Sequence, residues 1–211
     1  MILYVGNDLT SKTNYNCSMS TLSELLVSSS FNVVKTSSRS NKILRLLEML
    51  LSVFIYRKKV KYILIDTFSS TNFYYAFLSS QLARLFSIKY IPILRGGNLP
   101  ARLENSRKMS SAIFNHSYIN VAPSNYLMTE FQKKGYLVKY IPNILEIDNY
   151  KFRHRDVFKP NLLWVRAFDN IYNPTLAIKV LSILKNNYPN ALLTMVGPTK
   201  DNSFNDVVKL I

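Results

Sequence analysis

Glycine is scarce in this chain, with five in 211 residues. The shortage excludes the common glycine-built loops. No G-x-G-x-x-G follows the first apolar run, where Gly6-Asn7-Asp8 stands instead, and there is no G-x-x-x-x-G-K-[ST] phosphate loop. A G-x-S-x-G nucleophile elbow is also missing. The single cysteine, Cys17, permits neither a disulfide framework nor a cysteine-ligated zinc site and points to a reducing compartment. His116 and His154 are far apart and lack carboxylates at ligand spacing, so no bound metal is expected. Residues 1–6 are too short for a signal peptide, and no apolar run reaches the length of a membrane span. The N-x-S patterns at Asn16 and Asn115 therefore carry little meaning. The expected location is cytoplasmic, with peripheral attachment to the inner face of the membrane left open.

Acidic residues are the second deficit, 12 against 27 lysines and arginines, for a net charge of +15. Residues 158–211 hold six basic and three acidic residues, so most of the excess lies in the first 157. Such a balance fits nucleic acid, an anionic membrane surface or phosphorylated substrates, or a compositional bias towards Lys, Asn, Ile and Tyr. Nucleic-acid binding would need aromatic residues interleaved with Lys and Arg on an exposed face. The Tyr and Phe residues fall instead inside strand and helix patterns, and no nucleic-acid partner is expected.

What the chain does contain is apolar: 48% hydrophobic and 13% aromatic residues, enough for real cores. Up to about residue 142 apolar runs alternate with helical patterns. The runs 1–6, 31–36, 62–66, 89–94, 118–122 and 138–142 read as strands. Helices are predicted over 21–28, 41–56, 72–86, 103–115 and 125–134. Strands separated by helices imply a parallel sheet covered on both faces. The domains expected are 1–147, a linker at 148–159, and 160–211.

Three constellations stand out in the first domain. Arg95-Gly96-Gly97-Asn98 follows a buried strand, which puts it at the edge of a parallel sheet where ligands bind; the glycines serve either close approach to a ligand or a plain turn. In Ala122-Pro123-Ser124-Asn125 the serine is placed to cap a helix. The helix Ile43–Tyr56 leaves only Arg45, Glu48 and Ser52 as a polar stripe. It is either buried on most sides or lies in a membrane interface, and the flanking Arg39, Lys42 and Arg57–Lys61 cluster brings an anionic surface into question.

Residues 160–203 form the most informative stretch. Leu162–Val165 and Ala191–Val196 are apolar runs, the second ended by Gly197-Pro198. Between them Asn173-Pro174 opens a helix, Asn as cap and Pro at a position where the N–H is unpaired anyway. A strand–helix–strand unit of this kind is right-handed and parallel, and it sets Arg166 and Gly197 side by side at the strand ends. A guanidinium beside a helix N-terminus suits a phosphate; a surface arginine at a sheet edge is the plainer account.

Arg166, followed six residues later by Tyr172 and then by the Asn173-Pro174 helix, resembles the start of the nucleotide-sugar domain of group 1 glycosyltransferases. The resemblance implies a GT-B-like α/β fold: a Rossmann-like parallel-sheet domain and the first βαβ unit of a second one. In that family an arginine at this place and a lysine about six positions on hold the donor diphosphate. Arg166 matches, and Tyr172 stands at the lysine position. Arg95 occupies the place of the family's cleft histidine, and Ile141-Pro142-Asn143 matches the exit from the first domain, where Asn143 serves the cleft or hinge packing.

The resemblance implies transfer of a sugar from a nucleotide diphosphate sugar to a hydroxyl, with retention and with no cofactor or metal. The acceptor would be a carbohydrate or lipid-linked compound in cell-surface polysaccharide or glycolipid synthesis. Arg166, Tyr172 and Asn173 are the candidate diphosphate contacts; Gly6, Asn7, Arg95, Gly96, Gly97, Asn98, Asn143 and Gly197 are the candidate cleft residues. The family's acidic pair is expected beyond Ile211, so the catalytic residues are unassigned and the 211-residue chain alone is expected to be inactive. A non-catalytic, membrane-associated partner derived from a transferase is the alternative.

Overall fold

The computed structural model describes residues 1–8, 17–145, 147–154, 156 and 159–211. Most of the loop expected after the first strand, including Asn16, lies outside them. The chain divides into two compact units, Met1–Glu146 and Ile147–Ile211.

The first unit is a six-stranded, wholly parallel sheet. Its strands are β1 (Ile2–Val5), β2 (Val33–Thr36), β3 (Tyr62–Phe68), β4 (Lys89–Arg95), β5 (Asn120–Ala122) and β6 (Val138–Tyr140), in the order β2-β1-β3-β4-β5-β6. The helices are α1 (Ser18–Ser28), α2 (Lys42–Tyr56), α3 (Asn72–Leu85), α4 (Leu99–Asn105), α5 (Arg107–Phe114) and α6 (Asn125–Lys133). This is an α/β, Rossmann-like arrangement. Apolar runs form its strands because both faces are covered: Leu3, Val5, Ile63 and Ile65 join Met49 and Val53 of α2 and Tyr75, Ala76 and Ala83 of α3 in one core. On the other face Tyr4 and Ile93 meet Met19 of α1. Burial of a side chain such as Val53 or Met49 contributes roughly 1.5–3 kcal/mol.

Two side-chain caps set helix starts, Ser124 as its sequence implies. Asn41 accepts hydrogen bonds from the Ile43 and Leu44 amides through Oδ1, and Ser124 Oγ accepts from Leu127 N–H. The single helix expected over 103–115 is instead two. Ser106, at φ −135° and ψ 48°, interrupts it. Pro100, tolerated in a first turn, lets α4 begin four residues early at Leu99.

The polar stripe of α2 is divided between the core and the edge of the helix. Arg45, Met49 and Val53, four residues apart, are the buried positions, so the arginine faces inward. Its nitrogens donate to the carbonyls of Arg39 and Ser40 and to Asn7 Oδ1, at 2.7, 3.2 and 3.1 Å. Glu48 accepts from Ser37 Oγ and Arg39 Nε, and Ser52 donates to Thr36 Oγ1 and the Glu48 carbonyl. With its polar groups satisfied along the sheet and the preceding loop, the helix turns aliphatic residues outward.

The second unit holds β7 (Asn161–Val165) and β8 (Leu192–Val196), paired in parallel, with α7 (Pro174–Lys185) between them and α8 (Ser203–Val208) after them. Short 3-10 turns lie at Ile147–Asn149 and Asn170–Tyr172. Phe168 is its buried aromatic anchor, with ring centroids 5.0 Å from Trp164 and 5.1 Å from Phe204.

Candidate functional site

In the first unit the chain leaves β1 in one direction to β2 and in the other to β3. At such a switch point the ends of adjacent strands diverge and leave a crevice beyond their carboxyl ends. Gly6 and Asn7 follow β1 there, Asp66 lies near the end of β3, and Arg95 ends β4. Four side chains converge. Arg95 Nε donates to Asp66 Oδ1 at 3.0 Å, Nη2 to the Tyr4 hydroxyl at 3.3 Å, and Nη1 to Asn143 Oδ1 at 2.7 Å. Tyr4 in turn donates to Asp66 Oδ1 at 3.0 Å. The Asp66 and Arg95 side chains are 7% and 11% exposed.

Burial dominates the electrostatics of this cluster. It pushes the Asp66 carboxyl above the ordinary carboxylate range, against the pull of Arg95, and raises the Tyr4 phenol still further from neutrality. For Arg95 burial works against the charge, but the Asp66 carboxylate and Tyr4 outweigh it and the guanidinium stays protonated. Gly6 leaves room for the carboxylate: a Cβ there would lie 3.0 Å from both Asp66 Oδ2 and Met19 Sδ. Arg95 and Asn143 also line a cavity of about 350 Å³, whose walls are mainly apolar and include Leu22, Leu26, Leu64 and Ile93.

The structure thus joins Arg95 directly to Asn143, with Gly6 against the same cluster. Asn7 turns elsewhere, to Arg45. Gly96, Gly97 and Asn98 form the exposed turn between β4 and α4. Gly96 has φ +92°, which favours glycine, and a Cβ on Gly96 or Gly97 would meet nothing within 4 Å. Asp66 and Tyr4 were not among the residues singled out from the sequence. The only signal for Asp66 was a lone carboxylate ending an apolar run.

In the second unit Arg166 and Gly197 lie on adjacent strand ends. The Arg166 amide donates to the Val196 carbonyl at 3.1 Å, and a Cβ on Gly197 would overlap the Arg166 carbonyl. Beyond them the two loops stay tied. Phe168 N–H donates to the Pro198 carbonyl, and Lys200 N–H to the Phe168 carbonyl. Asp201 accepts from the amides of Asn170 and Ser203, and hydrogen bonds from Ser203 and Asn170 hold its carboxyl below the ordinary range.

The Arg166 guanidinium sits 4.9 Å from the centroid of the Tyr172 ring, a cation–π contact. Among the described residues no hydrogen bond or ion pair is recorded for that guanidinium. Asn173 is not the side-chain cap expected of it. It adopts a left-handed conformation at φ 46°, caps no helix amide, and accepts the Thr175 hydroxyl through Oδ1 at 3.1 Å. Pro174 still occupies the first turn of α7, as its missing N–H allows. His116 is exposed, and His154 meets Asp156 at 2.9 Å. Among the described residues there is no group of three or more His, Cys, Asp or Glu placed to hold a metal.

The strand order and the helices on both faces define an α/β, Rossmann-like protein. Comparison with known proteins adds little to that class. No family model matches the chain, and no curated protein matches it. Among solved structures, UDP-N-acetylglucosamine 2-epimerase from Rickettsia bellii is similar over 100% of this chain and 64% of its own, with 13% identity and a TM-score of 0.43. The chain therefore spans less than two thirds of that structure. The fold assignment rests on the sheet itself.

Proposed function

We propose that the protein uses a nucleotide diphosphate sugar and transfers its sugar to a hydroxyl acceptor. The observation that carries this reading is Arg166. It stands at a parallel strand end, stacked on Tyr172, with its guanidinium donors uncommitted among the described residues, just before a helix that starts at Pro174. A guanidinium fork and a helix N-terminus together favour a diphosphate. In sugar transfer the leaving nucleoside diphosphate gains negative charge as the glycosidic bond breaks, and a fixed cation stabilises that state more than the ground state.

Tyr172 replaces a second cation in this scheme with a platform. Its ring holds the guanidinium plane, which limits the rotamers Arg166 loses on binding. Gly197 lets the two strand ends close up, so the arginine is displayed from a rigid edge. The acceptor, a carbohydrate or a lipid-linked sugar, is assigned to the first unit and its Arg95–Asn143 pair.

Calorimetric titration with uridine and guanosine diphosphates tests the reading. One charge-assisted contact is worth roughly 1.5–3 kcal/mol. Arg166→Ala should therefore weaken binding by about 10- to 100-fold. Arg166→Lys should restore only part of it, since a point charge cannot reproduce the fork. Binding indifferent to Arg166 would show that the phosphate site lies elsewhere.

A further inference from the structure

The outward side of α2 is the most conspicuous surface the proposed function leaves unused. Ile43, Leu47, Leu51, Phe54 and Ile55 recur every three or four residues along it and are exposed, Ile43 by 71% and Ile55 by 64%. The neighbouring α3 runs in the same direction and extends this face. Tyr75 of α3 donates to the Lys42 carbonyl at the start of α2, Phe54 meets Phe86 edge-on at 5.9 Å near the end, and Leu85 is 74% exposed. A surface helix ordinarily does the reverse, presenting polar residues to water. Here Arg45 is buried and Glu48 and Ser52 are half-buried and bonded to Ser37, Arg39 and Thr36, and contiguous apolar surface of the kind left outside marks an interaction site.

Charge decides the occupant. Lys42 lies at one end of the stripe and Arg57, Lys58, Lys59 and Lys61 at the other. The Arg57 guanidinium lies 3.9 Å from the centre of the Phe54 ring, so cation and apolar face are one surface. Between residues 25 and 65 the only acidic residue is Glu48, already engaged by Ser37 and Arg39, and there is none from 67 to 103. A second copy of this chain would bring basic ends against basic ends. Nucleic acid would satisfy the cations but leave the aliphatic stripe without a partner. A bilayer rich in anionic lipid meets both demands: acyl chains for the stripe and headgroup phosphates for the flanking cations.

We propose that α2 and the adjoining edge of α3 form a docking face that lies in the interface of an anionic membrane, with Ile43, Leu47, Leu51, Phe54 and Ile55 inserted and Lys42 and Arg57–Lys61 at headgroup level. No helix is long and apolar enough to cross a membrane among the described residues, so the contact is interfacial. This inference stands apart from the nucleotide-sugar reading and survives its failure.

Flotation of the whole chain with vesicles of phosphatidylcholine, with and without phosphatidylglycerol, tests it. Binding should require the anionic lipid and fall with added salt. Lys58→Gln/Lys59→Gln/Lys61→Gln should lower partitioning by at least about 50-fold, from roughly five-fold per surface cation. Leu47→Gln/Leu51→Gln, both at exposed positions, should lower it by about ten-fold or more. Equal binding to neutral and anionic vesicles would overturn the proposal. So would binding that only the lysine substitutions weaken, because the stripe would then not be inserted. A dimer in sedimentation that Leu47→Gln/Leu51→Gln dissolves, with no vesicle binding, would assign the face to a second copy instead.

Discussion

Removing Asp66 should expose how much the first unit depends on its buried ion pair. Asp66→Ala leaves Arg95 protonated, 11% exposed and short of its carboxylate, with only Tyr4 and Asn143 still accepting. Breaking a buried pair from one side costs about 3–5 kcal/mol. The lower end applies here, because Arg95 Nη1 already reaches the exposed Asn143. Arg95→Met should cost a similar amount by stranding the carboxylate, unless the side chain takes up a proton. The double variant should lose no more than either single one, giving a coupling energy of about 3 kcal/mol or more. Urea unfolding of the four proteins, followed by circular dichroism, measures the cycle. Single losses below about 1 kcal/mol that simply add would mean the pair behaves like a solvated surface bridge, and the burial argument would fail.

The pH dependence of the same pair has a definite sign. Because burial raises the Asp66 pKa in the folded state, its contribution is fully present below the unfolded value, about 3.9, and is lost as pH rises through the folded value. The stability of the protein relative to Asp66→Asn should therefore fall from pH 3 towards neutrality; a difference that grows instead would show the attraction of Arg95 outweighing burial. Gly197→Ala should destabilise the second unit by at least about 2 kcal/mol, since the new methyl overlaps the Arg166 carbonyl, whereas Gly97→Ala should change stability by less than about 0.5 kcal/mol. Fluorescence of Trp164, the sole tryptophan, reports the first of these during urea unfolding. Tyr172→Leu should weaken nucleotide diphosphate binding by about two- to five-fold through loss of the cation–π contact, and Tyr172→Phe should not. Equal losses in calorimetry would move the effect from the ring to the hydroxyl.

The sheet was legible because strands buried on both faces read as unbroken apolar runs, and these recur between helical patterns from Ile2 to Tyr140. Ser124 was legible as a cap because its side chain satisfies an amide three positions on. Ser106 was not, since nothing in Asn105-Ser106-Arg107 signals a break. The inward face of α2 was illegible for a different reason. When ten of fifteen residues are apolar, periodicity no longer selects a face. Only the Asn7 side chain and the carbonyls of Arg39 and Ser40 reveal why Arg45 points in. Asp66 and Tyr4 were missed because they join Arg95 across 29 and 91 residues of chain, separations that only the strand order closes.

Among the described residues every strand pairing in both units is parallel, and that has a consequence for how the chain reaches its structure. No strand can find its neighbour through a tight turn. Even the pair closest in sequence, Asn120–Ala122 and Val138–Tyr140, is separated by α6, and β1 must hold its place until β3 arrives at Tyr62. Loop-closure entropy is spent before any of these pairings returns a contact, which slows folding relative to a hairpin-rich sheet of equal size. During that delay the aliphatic face of α2, exposed even in the finished fold, is available to other chains. Refolding from urea should accordingly be slow and its yield should fall with protein concentration. A surface suited to docking in the finished protein is, on the way there, its principal hazard.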